Sequence, residues 1–472
     1  MRFFLSLSFF WLSTLNLSYA HTAPNPSGLS WLPSGIRSGL VIQTLTEAKP
    51  AFQHKTGDYF PPASTLKVIT ALASQLELGE QFSFETQLRS NNQDAALIFS
   101  GDPTLTTEHI KTLLLRYKQQ NGTRIRGDLW LNNQHFTGYP RAVGWPWDSL
   151  GVCYSAPVSA INLDGNCVQA SIYTQNDGAT RVYVPPHYSI DVESDARSVT
   201  QAQKQAQHCD LELIASHDNH YQLSGCLAQR SQPLPLKFAI QNTELYAQRV
   251  IRQLINQLEM TLDGEIKVGA PDSQQWNKIA THHSERLPQL LTTMLQDSDN
   301  LIADALFKTL GQKFFLQPGS FNNGSEALKQ IIFARTGIDL NDAQIVDGSG
   351  LSRNNRIRLE SMRQILYYLW QHDSELNLIR SLATAGENGT LRYRRSMRNE
   401  NIRGRLKAKS GSLYGTHNMV GFSLDNTGQP QALFVQFITD YFPAQSDPKK
   451  PIEAPITRFE QQFYQMILNI HD

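Results

Sequence analysis

Strand-like sequence lies near both ends of the chain, and the long separation of those runs limits its fold more than any other feature. Gly39 to Leu45 reads as a strand, and Pro50 to Lys55 could return beside it. Near the other end, period-two runs cover Arg403 to Lys409, Met419 to Leu424 and Ala432 to Thr439. Between them a helical face runs through Leu66, Ile69, Leu72, Ala73 and Leu76, and helical periodicity returns through Leu287, Leu291, Met294, Leu301, Ile302, Ala305 and Leu306. Ends that supply strands, with helices between, describe a mixed α/β domain split by an insertion. The expected organisation is a leader at 1–20, a discontinuous domain from 21–81 and 276–472, and inserted domains at 82–275.

Within the insertion, short β-like runs alternate with two amphipathic helical patterns, Glu108 to Gln120 and Asn242 to Met260. Each pattern ends in a similar run, Gly122-Thr-Arg-Ile-Arg-Gly127 and Leu262-Asp-Gly-Glu-Ile-Lys-Val-Gly269, which hints at a paired half-and-half arrangement. The last amphipathic stretch, Ile456 to Ile470, has no Lys or Arg enrichment on its polar face. It is expected to pack on the sheet rather than lie on a membrane.

Arg2, the apolar run Phe3 to Leu17 and the small-residue end at Ala20 have the form of a secretory leader, so the mature chain would begin near His21. No later stretch is apolar for long enough to cross a bilayer. A secreted, periplasmic protein is expected, at most loosely membrane-associated. Lys plus Arg and Asp plus Glu both total 42, which leaves no basic field for nucleic acid. Four cysteines after a leader favour disulfides over metal or redox chemistry. Pairing neighbours, Cys153 with Cys167 and Cys209 with Cys226, is the simplest of three connectivities. There is no Cys-x-x-Cys and no His-Glu-x-x-His, so neither a metal site nor a cofactor is expected.

Pro61-Pro62-Ala63-Ser64 places Ser64 at a helix start, and Lys67 then lies one turn on along the same face, within reach of the hydroxyl. A serine is a poor nucleophile until a base takes its proton. A lysine can be that base only if its pKa falls by roughly three units, through burial and a second cation. Ser446-Asp447-Pro448-Lys449 has the same spacing but an internal proline and a polar setting mark it as a loop. Ser298-Asp299-Asn300 sits between two apolar helical stretches, where the serine could shuttle a proton and the amide could hold both the lysine and a substrate carbonyl. Ser90-Asn91-Asn92, Ser320-Phe321-Asn322 and Ser352-Arg353-Asn354 share that short pattern, so alone it carries little. Lys409-Ser410-Gly411-Ser412 ends a strand-like run. There Lys409 could meet a carboxylate, Gly411 could admit a substrate backbone, and the amides of Ser412 and Ser64 could form an oxyanion hole worth about 3 kcal/mol per donor. Lys55-Thr56-Gly57 precedes Ser64 and has the wrong order for this third element.

The ordered set Ser-x-x-Lys, Ser-x-Asn and Lys-Ser/Thr-Gly is shared by penicillin-binding proteins and class A β-lactamases. The chain resembles the penicillin-binding protein 4 type of D,D-carboxypeptidase/endopeptidase, peptidase family S13. Ser298 lies 234 positions after Ser64, far more than a β-lactamase needs, and in this family the interval carries two nested extra domains. Further matches are Ser100-Gly-Asp-Pro-Thr-Leu105, Tyr154-Ser-Ala-Pro-Val-Ser-Ala160, Asp347-Gly-Ser-Gly-Leu-Ser-Arg353 and Asn418-Met-Val-Gly-Phe422. The resemblance implies five antiparallel strands flanked by helices, with the site at the edge strand bearing Lys409. It implies Ser64 as nucleophile, Lys67 as base, Ser298 and Asn300 in relay and positioning, and Lys409 in carboxylate binding and relay. Substrate contacts would come from Ser410, Gly411, Ser412 and Leu413, from Leu351 and Arg353, and from Trp145 and Asp148 of the insert. Asp148 would pair with the amine of a diaminopimelate side chain. A surface loop is the alternative reading of Trp145-Pro146-Trp147-Asp148. Ser410 stands where many members have Thr and keeps the hydroxyl.

The implied activity is hydrolysis of the bond after D-Ala in peptidoglycan stem peptides and cross-links, with β-lactams as covalent inhibitors. The rivals are a β-lactamase-like hydrolase and a non-catalytic penicillin sensor. No Glu-x-x-Leu-Asn is present to place a deacylating water in the class A manner, and the complete relay set argues against a sensor.

Overall fold

The computed structural model describes residues 27–91, 93–270, 275–443 and 453–470; the leader and the Ser446 to Lys449 motif lie outside the described residues. Strands from near the two ends of the chain meet in the middle of one sheet. Arg37–Thr44 pairs antiparallel with Pro430–Thr439 along its whole length, from Arg37 opposite Thr439 to Thr44 opposite Ala432. The strand order is Ala383–Thr384, Leu406–Leu413, Thr416–Leu424, Pro430–Thr439, Arg37–Thr44 and Phe52–His54, antiparallel throughout. This is one strand more than the resemblance implies. The addition, Ala383–Thr384, pairs only with Ala408 and Lys407, so from Lys409 onward that edge has no strand partner among the described residues.

Both faces of the sheet are covered, which explains the near-continuous apolar strands. Val41, Phe422, Leu433, Val435 and Phe437 join the helical core, whereas Leu40, Ile42, Met419, Phe434 and Ile438 pack with the C-terminal helix Pro455–Leu468. That helix buries Phe459, Phe463, Tyr464 and Ile467 against the sheet. Glu460 on the same helix is buried and accepts hydrogen bonds from Arg394, from Ser396 Oγ at 2.6 Å and from Gln436 Nε2 at 3.3 Å. Burial alone would raise its pKa, but the Arg394 charge and these donors hold it below the usual carboxylate value.

The sequence marks one apolar face on the helix Lys67–Leu78, yet every residue from Lys67 to Ser74 is buried. Helices Leu287–Gln296, Asn300–Phe315, Phe321–Thr336 and Leu359–Gln371 surround it, so its polar positions also face protein.

The inserted region builds its own five-stranded sheet, ordered Ile266–Val268, Leu129–Asn132, Ala95–Ile98, Glu85–Ser90 and Asn277–His283. Its helices, Thr107–Asn121 and Thr243–Gln257, match the two amphipathic patterns. The similar runs that follow them pair in parallel where Ile125 meets Leu262, and just beyond the first run Leu129 pairs with Ile266. Just past the expected insert limit at 275, Asn277–His283 pairs with Glu85–Ser90 of this sheet. The inserted region carries the disulfides Cys153–Cys167 and Cys209–Cys226. The segment around 136–160 returns to the catalytic core, where Phe136, Trp145 and Val158 are buried with helix residues. Lys308 Nζ donates to the carbonyls of Tyr139 at 3.0 Å and Val158 at 2.9 Å, fastening that segment down.

Arg394→Met would leave the buried Glu460 carboxylate without its cation, which should destabilise the fold by about 3–5 kcal/mol. The paired carboxylate contributes stability above the ordinary Glu pKa and loses it as pH falls toward its lowered folded value. Thermal melts should therefore show a lower Tm for the variant, with the gap narrowing on acidification; a gap that widens would overturn this account.

Candidate active site

Ser64 occupies a 3₁₀ turn, Ala63–Leu66, that runs directly into the helix starting at Lys67. The turn is fixed by its own backbone and by neighbouring segments. Thr65 Oγ1 donates to the Pro62 carbonyl at 2.7 Å, and Asn418 Nδ2 donates to the carbonyls of Pro61 and Pro62 at 2.8 and 2.9 Å. Two glycines let other chain segments press against it. A Cβ on Gly411 would lie 2.8 Å from the Pro62 oxygen and 3.0 Å from the Thr65 nitrogen. Gly350, at φ +81°, would place one 1.9 Å from the Ala63 oxygen. The serine turn therefore fills the Cβ side of Gly411.

Lys67 is fully buried and its amine has three acceptors: Ser64 Oγ at 3.1 Å, Asn300 Oδ1 at 2.6 Å and the Ser349 carbonyl at 2.7 Å. Burial lowers its pKa to about 8, against the opposing pull of Asp304, Asp347 and Asp299. Lys409, also fully buried, donates to Ser298 Oγ at 3.0 Å and to the Ser410 carbonyl at 2.8 Å. Burial and then the charges of Lys67 and Arg394 push Lys409 well below the usual lysine value. The cation that the sequence argument invokes thus weakens the proton affinity of Lys409, while for Lys67 desolvation is the main cause.

Ser298 stands between helices Leu287–Gln296 and Asn300–Phe315 in a left-handed conformation, φ 62°. This conformation is unfavourable for a non-glycine residue and reverses the chain in the short gap between the two helices. Asp299 caps the second helix by accepting from the Ile302 amide at 2.8 Å. The Asn300 amide does not wait for a ligand with both ends. Its oxygen faces Lys67, and its Nδ2 donates to the Tyr154 carbonyl at 2.7 Å, next to the Cys153–Cys167 bridge.

These groups open on a cleft of about 530 Å³ lined by Ser64, Ser298, Asn300, Leu351, Ser412 and Leu413, with Asp148, Tyr154, Arg353 and Tyr414 at its sides. Asp148 is exposed, and neither its carboxylate nor the Arg353 guanidinium is hydrogen-bonded within the described residues. Trp145 does not line the cleft. Its ring is buried beside Phe321 and Nε1 donates to Asp347 Oδ2 at 2.8 Å, so it anchors the loop that carries Asp148. The anchor continues through the Arg353 amide to the Gly144 carbonyl at 3.0 Å and Ser352 Oγ to the Val143 carbonyl at 2.7 Å. Ser410 does not line the cleft either; its hydroxyl is buried 2.8 Å from Thr390 Oγ1.

Sequence reasoning missed the groups beneath Lys67. Asp347 Oδ1 accepts from the Gly350 amide and Asn355 Nδ2, and its Oδ2 accepts from the Ser352 amide as well as Trp145. Asp304 Oδ1 accepts from the amides of Gly348 and Ser349 at 2.7 and 2.9 Å. An acid inside Leu301-Ile-Ala-Asp-Ala-Leu-Phe307 was the available signal for the second of these.

The D-Ala-D-Ala carboxypeptidase 3 (S13) family model matches residues 32–463. The chain is 34% identical over 443 residues to D-alanyl-D-alanine carboxypeptidase DacB of Haemophilus influenzae, covering 92% of this chain and 91% of that protein. The crystal structure of penicillin binding protein 4 from the same organism superposes with a TM-score of 0.86 at 33% identity, over 94% of this chain and 99% of the other. A second structure of that protein, complexed with a β-lactam, gives 0.81 at 32% identity over 94% and 99%. With match and geometry in agreement, the chain belongs to the D-Ala-D-Ala carboxypeptidase 3 (S13) family.

Proposed function

We propose that this protein is a serine D-alanyl-D-alanine carboxypeptidase, acting in the periplasm, that also cleaves D-Ala cross-links as an endopeptidase and is acylated by β-lactams. The observation that carries the reading is the Lys67 amine 3.1 Å from Ser64 Oγ, buried and lowered in pKa. In its neutral form Lys67 takes the Ser64 proton as Oγ attacks the carbonyl carbon of the penultimate D-Ala. The amides of Ser64 and Ser412 stabilise the oxyanion. Proton return to the departing D-Ala amine runs through Ser298, whose hydroxyl is held by Lys409. Water then releases the acyl group from Ser64. Lys409 is buried between Ser298 and its own strand, which supports a part in the relay more than a direct contact with the substrate carboxylate.

Incubation with a peptide ending in D-Ala-D-Ala should release D-Ala, and Ser64→Ala should abolish both this release and labelling by fluorescent penicillin. Labelling that survives in Ser64→Ala, or moves to Ser446, would sink the assignment.

Asp148 sits at the side of the cleft, with its carboxylate free for the amine of a diaminopimelate side chain. Asp148→Ala should lower kcat/KM for such a peptide by about 1.5–3 kcal/mol, the range of a charged hydrogen bond, and leave benzylpenicillin acylation nearly unchanged. Equal falls in both rates would make Asp148 structural.

Because Cys153 adjoins the Tyr154 carbonyl that holds Asn300, the two bridges should differ in effect. Replacing Cys153 and Cys167 by Ser should slow acylation by up to about 100-fold, the scale of a displacement of about 1 Å at a reacting centre. Replacing Cys209 and Cys226 should lower Tm with little change in that rate. Acylation equal in the two double variants would refute the difference.

A further inference from the structure

Beneath the active-site lysine lies a carboxylic acid that the mechanism above does not use. Asp304 is on the helix Asn300–Phe315, one turn beyond Asn300, and is fully buried. One of its oxygens, Oδ1, holds the amides of Gly348 and Ser349, and the carbonyl of Ser349 in turn accepts from Lys67 Nζ. Its other oxygen, Oδ2, is buried with no hydrogen-bond partner among the described residues. An ionised carboxylate buried with a bare oxygen is strongly disfavoured, whereas the neutral acid loses much less on burial. The neighbouring Asp347 makes the contrast, since each of its oxygens meets two donors.

We propose that Asp304 is a positioning residue that sets the protonation state of Lys67: the two buried groups hold one proton between them, and the state with the proton on Asp304 Oδ2 leaves Lys67 as the free amine that deprotonates Ser64. The two arrangements, ammonium with carboxylate and amine with acid, have the same net charge, so no ion need enter or leave the site. Burial favours the uncharged pair. Charged groups around it act in both directions. Asp347 disfavours ionisation of Asp304, the Ser349 side chain, Lys67 and the Gly348 amide favour it, and Lys308 also lies within range of that carboxyl. Asp299 and Asp347 favour the Lys67 ammonium, and Lys409 faces Lys67 across the site. Burial pushes the Asp304 carboxyl up to about 8, the same region to which it lowers Lys67.

This inference rests on the proposal that Ser64 is acylated with Lys67 as base, and the test separates the two. The second-order rate of acylation by benzylpenicillin is measured against pH for the wild type and for Asp304→Asn. The variant keeps an oxygen for the Gly348 and Ser349 amides but never carries the anion. Its acid limb should stay near the wild-type midpoint, because the neutral acid and the neutral amide alike place no charge beside Lys67, while the infrared difference spectrum between the two proteins should show the carbonyl stretch of a protonated carboxylic acid near neutral pH, present in the wild type and lost in the variant. An acid limb that moves down in the variant, or no protonated-acid band in the wild type, would make Asp304 an ionised anchor for the 348–349 loop and overturn the proposal. If Asp304→Asn does not fold, Asp304→Ser also removes the charge and is scored in the same way. A wild-type enzyme that benzylpenicillin does not acylate at any pH would sink the Ser64 reading and this inference together.

Discussion

The structure depends on one amine kept out of water. Lys67 has three acceptors drawn from three segments: the hydroxyl of its own turn, an amide at the start of the helix Asn300–Phe315, and a carbonyl of the loop 347–350. Burying an amine is costly unless its donors are met, and each partner must itself be held. That requirement propagates outward. Asn300 is oriented by the Tyr154 carbonyl, the Ser349 carbonyl by Asp304, and Asp347 by four donors. Segments hundreds of residues apart in sequence are thereby tied to a single nitrogen.

The inserted region is part of this arrangement and not an ornament on it. Its segment around 136–160 supplies the carbonyl that holds Asn300, the loop with Asp148, and Trp145 as a peg into the Asp347 network. The pegs are polar contacts in an otherwise apolar seam formed by Phe136, Trp145, Val158 and Phe321. Apolar burial holds the two bodies together, and the hydrogen bonds select one register between them.

Much of this was legible in the sequence. The two strand-bearing ends, the helix after Ser64 and the Ser298 junction follow from periodicity and from turn chemistry, and the amphipathic patterns of the insert became helices within three residues of their expected limits. What could not be read was direction. Ser410 and Trp145 are of suitable chemistry but do not line the cleft, one because its hydroxyl meets Thr390 and the other because Asp347 offers its indole an acceptor. Gly411 was legible as a close approach, but not which chain would approach. The pairing of Asn277–His283 with Glu85–Ser90 was hidden because that strand is half-exposed and lacks a clear apolar alternation.

The contact of Gly411 and Gly350 with the serine turn has a consequence for thermal motion. Side chains that hold a catalytic group can hop between rotamers, and each hop displaces what they support. Here the turn is gripped on two sides by backbone, with no χ angle between the strand Leu406–Leu413, the loop 347–350 and the residues that flank Ser64. The nucleophile therefore inherits the stiffness of a β-sheet, and its aim is insulated from rotameric noise in the walls of the cleft.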